Sequence, residues 1–259
     1  MNNKPLLLAL IAVGLLGIAV GIFSVGLFRP TTIGGSANLV MLRDTLRANP
    51  EIILEALQIL QDRREGATRV EHRAAIVAQR AALLEDADSV VGGNPQGDVT
   101  VVEFFDYRCP YCRQSMAAAR ALIKADPQVR FVYKEYPILG APSLVAARVA
   151  VAARKDPRYE SLHAALMLSP PSDEEQALRT AAIAGLDRVV LAAAMTAPEI
   201  DEILKANHAL ARNLGITGTP AFIIGDTLVP GVASLEVLQK LVAETRARGG
   251  DRAIGKAGG

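Results

Sequence analysis

The chain has 259 residues, with 28 Lys plus Arg against 27 Asp plus Glu, so its formal net charge is +1. That balance, without any basic cluster, gives no electrostatic footing for nucleic acid. Trp is absent and aromatics make up 4%, so the core has to be built mainly from Ala, Leu, Val and Ile, in one domain with extensions or a small two-domain protein.

From Leu6 to Phe28 no residue is charged and nearly all are apolar. At about 1.5 Å per helical residue, this run is long enough to cross the roughly 30 Å of a bilayer's hydrocarbon. It exceeds the usual apolar region of a secretory leader, and no good small-residue cleavage site follows it. Residues 1–35 are therefore read as an N-terminal signal anchor plus hinge, with a cleaved signal peptide as the alternative. Either places the body on the periplasmic or extracytoplasmic side, as the slight positive bias of Lys4 also suggests.

Residues 36–90 read as a helical arm. Asn49-Pro50-Glu51 has the chemistry of a helix start, and Ile53, Leu57 and Leu60 recur at helical spacing. Val70, Ala74, Val77, Ala81 and Leu84 form a short heptad-like seam. Two readings stay open: an amphipathic helix packed on its own domain, or an arm for self-association into a homo-oligomer, with a trimer possible.

Gly92 to Asp98 is rich in turn residues and marks a boundary. Beyond it the pattern predicts a strand over Val99–Phe105, a helix over Pro110–Lys124 and a strand over Val129–Lys134, a βαβ unit with parallel strands. Residues 141–214 read as helices broken near Pro157, Pro170-Pro171 and Pro198. Pro220–Ile224 and Thr227–Val229 read as a hairpin, and Ser234 caps a last helix to about Arg248. The Gly-rich tail 249–259 is expected to be disordered.

Both cysteines lie in Cys109-Pro110-Tyr111-Cys112, where a strand turns into a helix. Unpaired N–H groups and the helix dipole favour a thiolate there, and a second thiol in the motif can resolve a mixed disulfide. The competing readings are an inert structural bridge or half of a metal site. Metal is the weakest, because a structural zinc needs four ligands and the remaining candidates are three scattered His. His72, His163 and His208 are read as surface residues. No cofactor is expected beyond a redox-active Cys109–Cys112 disulfide.

These elements together give an α/β chain with a thioredoxin fold and an inserted helical domain. Glu103 to Cys112 resembles the active-site segment of DsbA-family thiol-disulfide oxidoreductases, and Gly215-Ile216-Thr217-Gly218-Thr219-Pro220-Ala221-Phe222 resembles that family's cis-proline loop. The likeness spans about residues 98–248 of the domain 91–248. Asn49 to Leu57 resembles the N-terminal region of ScsC-like members, some of which trimerise and act as isomerases.

Cys109, at the helix start, is the expected nucleophile and Cys112 the buried resolving thiol. Pro110 suits the first helical turn. Tyr111 stands where DsbA has His; it cannot carry positive charge, so a milder oxidant is expected, nearer about −230 to −180 mV than the roughly −120 mV of DsbA. A carboxylate inside an apolar strand needs a reason. The resemblance implies that Glu103 moves the proton of Cys112 and that Lys134 is its partner; a purely structural pair and an exposed edge position remain as alternatives. The resemblance also implies a cis bond before Pro220. Thr219 and Pro220, with Pro110 and Tyr111, would then contact an extended client segment.

The chain is therefore expected to be an extracytoplasmic enzyme exchanging disulfides with cysteine-containing proteins, possessing isomerase activity if it oligomerises. A membrane redox partner would recycle the dithiol. The alternatives are a monomeric DsbA-like oxidase and a tethered redox chaperone or metal-handling scaffold with little turnover.

Overall fold

The computed structural model describes residues 35–253. The apolar run Leu6–Phe28 lies outside them, as does the end of the tail. Among the described residues no helix is long and apolar enough to cross a membrane. The chain divides into two units, Met1–Asp62 and Arg63–Gly259.

The described part of the first unit holds helix α1 (Gly35–Ala48) and the start of α2 (Glu51–Ala78). Its apolar side chains are open to solvent: Met41 is 72% exposed and Leu54 69%, with Ile53, Leu57 and Leu60 also exposed.

In the second unit the end of α2 and α3 (Arg80–Leu84) lead to β1 (Val90–Gly93), β2 (Val99–Phe105), α4 (Pro110–Ala125) and β3 (Val129–Glu135). Five helices follow: α5 (Ala141–Ala152), α6 (Tyr159–Leu168), α7 (Glu174–Ile183), α8 (Arg188–Ala194) and α9 (Pro198–Asn213). The chain closes with β4 (Ala221–Ile224), β5 (Thr227–Pro230), α10 (Leu235–Ala247) and a 3-10 turn at Gly250–Ala253. The sheet order is β1-β3-β2-β4-β5. β2 and β3 run parallel, and the other neighbours are antiparallel.

Every residue of β2 is buried, as a central strand covered on both faces must be. Its alternation feeds two cores. Val101 and Phe105 pack with Phe131, Leu122, Phe222 and Leu238 on one face. Val102 and Phe104 pack with Ile76, Leu83, Val132, Leu210 and Ile223 on the other. The second core corrects the expected boundary near residue 90, because Ile76 and Leu83 close the sheet's far face and belong to the second unit. Of the heptad-like seam, Val70, Ala74, Val77 and Ala81 are exposed, while Leu84 packs against this core.

Two further expectations change. Val90–Gly93 is a strand, where a plain boundary was read; its antiparallel pairing with β3 is a long-range event that a four-residue segment with two glycines scarcely announces. The tail is ordered through its 3-10 turn, because Asp251 accepts hydrogen bonds from the Thr100 N–H (3.0 Å) and hydroxyl (2.6 Å) at the start of β2. The strand and helix spans predicted for β2, α4, β3, the hairpin and α10 agree with the structure to within a residue or two.

Candidate active site

β2 delivers the chain into a four-residue turn, and α4 starts at Pro110. Cys109 is the N-terminal cap, in extended conformation. Its N–H donates to the Asp106 carbonyl (3.0 Å), and its carbonyl accepts from the Arg113 N–H (3.3 Å). Proline at the first helical position lacks only an N–H that would have no intrahelical partner. Both cysteines are free thiols. Both are buried, Cys109 at 5% exposure and Cys112 fully, which makes Cys109 the more accessible residue of the pair. Tyr111 between them is 60% exposed.

The other half of the site comes from the far end of the insert. Gly215, at φ +71°, ends α9 in the left-handed conformation that glycine tolerates best, and the Ile216 N–H reaches back to the Ala211 carbonyl at 2.9 Å. The chain then enters the loop before β4, where the Thr219–Pro220 peptide is cis. The Cys109 thiol donates to the Thr219 carbonyl at 3.1 Å, and the Gly231 N–H holds the Pro220 carbonyl at 2.8 Å. Cys109, Cys112, Thr219 and Pro220, distant in sequence, thus meet at one end of the sheet.

Burial pushes the Cys112 thiol up, and the charges of Glu103 and Cys109 act in the same direction, while a backbone hydrogen bond from Asp106 opposes them. A thiol so disfavoured as thiolate needs a proton acceptor nearby. Glu103 is that candidate. It is 3% exposed, and burial pushes its carboxyl up to about 8.

Lys134 is not its partner. In the parallel register Glu103 lies opposite Tyr133, while Lys134 lies opposite Phe104. Neighbouring strand residues face opposite sides of a sheet, so the lysine points into the second core. There its ammonium meets Asp86 at 2.6 Å, with only 1% of the side chain exposed. The charge and hydrogen bond of Lys134 hold the Asp86 carboxyl below its usual range, against its partial burial.

Sequence reasoning missed three further groups. Asp106 is buried and accepts backbone N–H bonds from Arg108 (2.8 Å), Ile138 (2.8 Å) and Leu139 (3.0 Å), clasping the cysteine turn to the segment after β3. Its place between an apolar strand and the motif was a readable cue. Glu135 is buried, and one carboxyl oxygen accepts from the Tyr107 hydroxyl (2.9 Å) and the Tyr159 hydroxyl (3.0 Å); burial pushes it well above the carboxylate range. His163, expected at the surface, is buried on α6, 3.3 Å from the Tyr107 hydroxyl and edge-on to Phe105. Burial pushes its imidazole down to about 3. Only the packing of the insert on the sheet puts it there.

Asp106→Ala would strand backbone donors that the turn needs. It is expected to lower stability by roughly 3 kcal/mol, measured by urea unfolding, with Asp106→Asn recovering part of the loss. Equal melting of Ala variant and wild type would remove the clasp from the account.

Comparison with known proteins agrees with this geometry. The model of the DSBA-like thioredoxin domain matches residues 100–243, and that of the copper resistance protein ScsC N-terminal domain matches residues 41–67. A thioredoxin-like oxidoreductase from Silicibacter pomeroyi is 48% identical, covering 65% of this chain and 98% of that one, with a TM-score of 0.63. A linker-deleted mutant of Proteus mirabilis ScsC is 27% identical over 85% of this chain and 99% of that one (TM-score 0.65). A periplasmic thioredoxin-like protein from Salmonella enterica serovar Typhimurium is 33% identical, covering 65% and 95% (TM-score 0.60). Two curated Na(+)/H(+) antiporters also match: NhaA 3 of Salinispora tropica, 31% identical over 160 residues, and NhaA 1 of Salinispora arenicola, 34% identical over 79. The chain spans only 24% and 12% of their length. The Cys109–Cys112 turn and the loop of the cis Thr219–Pro220 peptide face each other across the Cys109–Thr219 contact, and the chain belongs to the DSBA-like thioredoxin domain family, carrying a ScsC-type N-terminal segment ahead of that domain.

Proposed function

We propose that the protein is an extracytoplasmic thiol-disulfide oxidoreductase that exchanges disulfides with cysteine-containing proteins through Cys109 and Cys112. The observation that carries this reading is the contact of the Cys109 sulfur with the Thr219 carbonyl, beside Pro220 and at a helix N-terminus. An extended client segment laid along Thr219 brings its own sulfur to Cys109. Cys109 attacks one sulfur of a client disulfide; the new S–S bond joins enzyme and client, and the other client sulfur leaves as thiolate. Cys112, having lost its proton, then attacks Cys109, forms the enzyme disulfide and frees the reduced client. Run backwards, the same steps oxidise a client dithiol.

The ScsC-type segment and its exposed apolar side chains support a homo-oligomer, a trimer among the options, in which linked sites give isomerase activity. The periplasmic relative supports residence outside the cytosol. The apolar run Leu6–Phe28 delivers the chain there, as an anchor or as a removed leader, and a membrane redox partner recycles the dithiol.

Insulin reduction and scrambled-ribonuclease refolding test the reading. Cys109→Ala is expected to abolish both, and Cys112→Ala to accumulate mixed disulfides with clients. Equilibration with glutathione is expected to give a potential of about −230 to −180 mV, because Tyr111 adds no positive charge to the motif. Undiminished turnover in Cys109→Ala would refute the assignment; a value near the roughly −120 mV of DsbA would remove the role given to Tyr111.

A further inference from the structure

Helices α5 and α9 pack on each other and leave an open groove of about 450 Å³ between them, with Leu144 and Leu204 as its apolar floor. Asp201, Lys205, His208 and Arg212 recur at steps of four, three and four, so one stripe of α9 supplies a wall. Arg148 of α5 supplies the other. Three fixed cations thus meet one carboxylate there, in a chain whose formal net charge is only +1. Asp201 is already held by the Arg148 Nη2 at 2.5 Å. The Arg148 Nε is buried with no hydrogen-bond partner among the described residues; a buried donor left unpaired is rare and asks for a ligand. Lys205 pairs with Glu202 at 2.7 Å, but both side chains are 70% exposed, and such a pair contributes little. Arg212 meets no carboxylate within ion-pair distance among the described residues.

The shape favours an extended ligand. Asp201 and Arg212 are eleven residues apart, about 16 Å along a helix axis. An extended peptide of about five residues spans that distance at roughly 3.3 Å per residue, whereas a compact anion does not reach Arg148 and Arg212 together. The groove also adjoins the dithiol. His208 lies against the Tyr136 ring, with centroids 4.8 Å apart, and is hydrogen-bonded to the Pro137 carbonyl. The next two residues, Ile138 and Leu139, clasp Asp106, three positions before Cys109. Leu139 at that clasp and Leu144 on the groove floor are both exposed. We propose that the α5–α9 groove is a client subsite that takes an acidic segment flanking the client's cysteine, with Arg148 and Arg212 gripping its carboxylates at the two ends and Lys205 between them. This rests on the oxidoreductase reading above. It gives the enzyme a preference among clients by charge, acting through binding and not through the sulfur chemistry.

Two disulfide-bearing peptides test the subsite on the full chain, identical except that a run of Glu beyond the cysteine in one is Gln in the other. The Glu peptide is expected to show a KM lower by about tenfold at low salt, as two or three exposed ion pairs would give, with kcat alike for both. That ratio should fall to about one in about 1 M NaCl, which screens beyond roughly 3 Å. It should also fall to about one when Lys205→Glu and Arg212→Glu are combined, and persist in Lys240→Glu, a control on the exposed side of α10. Equal KM values in the wild type, or a preference that survives the double reversal, overturn the subsite. So does citrate competing as well as a cysteine-free Glu peptide, since the groove would then hold a compact anion. If neither peptide is turned over, the oxidoreductase reading falls, and fluorescence anisotropy of the cysteine-free Glu peptide still decides the groove: no binding, or binding unchanged by the double reversal, sinks it.

Discussion

Glu103→Gln is expected to stabilise the catalytic unit at neutral and alkaline pH and, at the same time, to slow its chemistry. The folded-state carboxyl titrates at about 8 and the ordinary value is 4.5. Between those values the folded protein binds a proton that the unfolded chain has lost. Stability is therefore full below about pH 4.5 and declines as pH rises towards 8. A displacement of that size corresponds to as much as roughly 5 kcal/mol once both states are ionised. Gln cannot ionise, so the variant should lack this decline and unfold at higher urea at pH 8, with little difference at pH 5. The same variant should resolve the mixed disulfide at Cys112 at least about tenfold more slowly, because general-base help is lost, while attack by Cys109 on a client disulfide stays near wild type. Stopped-flow measurement of the two steps separates them. Equal effects on both, or an unchanged pH profile of stability, would return Glu103 to a purely structural role.

Where the arm is cut should decide between a monomeric enzyme and an unfolded one. A chain beginning at Arg63 keeps Ile76, Leu83 and Asp86. It is expected to fold, run as a monomer, exchange dithiols and lose most scrambled-ribonuclease activity, since linked sites recapture a released client at effective concentrations in the millimolar range. A chain beginning at Ser89 loses all three. Truncating one large core aliphatic typically costs about 2–5 kcal/mol, and breaking a buried ion pair about 3–5 kcal/mol. Lys134, with 1% of its side chain exposed, would be left without its carboxylate. Together those losses are comparable with the roughly 5–15 kcal/mol stability of an ordinary domain. Circular dichroism melts of the two truncations read this directly: a cooperative melt for the shorter chain like that of the longer would overturn the boundary at Arg63. If the chain from Ser36 already sediments as a monomer at micromolar concentration, the isomerase reading gives way to a DsbA-like oxidase.

Much of the catalytic half was legible because its cues are local. An apolar run bounded by turn residues makes β2, Pro110 fits the first turn of α4, and the CxxC spacing places two sulfurs one helical turn apart. The cis bond at Thr219–Pro220 was legible only through resemblance, since a Gly-Thr-Pro turn alone does not select it.

By itself, the sequence determined the βαβ unit, the hairpin and the closing helix, the dithiol at a strand-to-helix turn and an acid within an apolar strand six positions before it. Those depend on side-chain type and spacing along one segment. Tertiary structure decided what each polar group meets. Lys134 is one position past Tyr133 in a strand whose faces alternate, so the β2–β3 register alone sends it to Asp86 and leaves Glu103 facing a cavity. Likewise Val90–Gly93 becomes a strand, His163 a core residue and Ile76 part of the catalytic unit only when distant segments pack, because burial and hydrogen-bond partnership are properties of the neighbours and not of the residue.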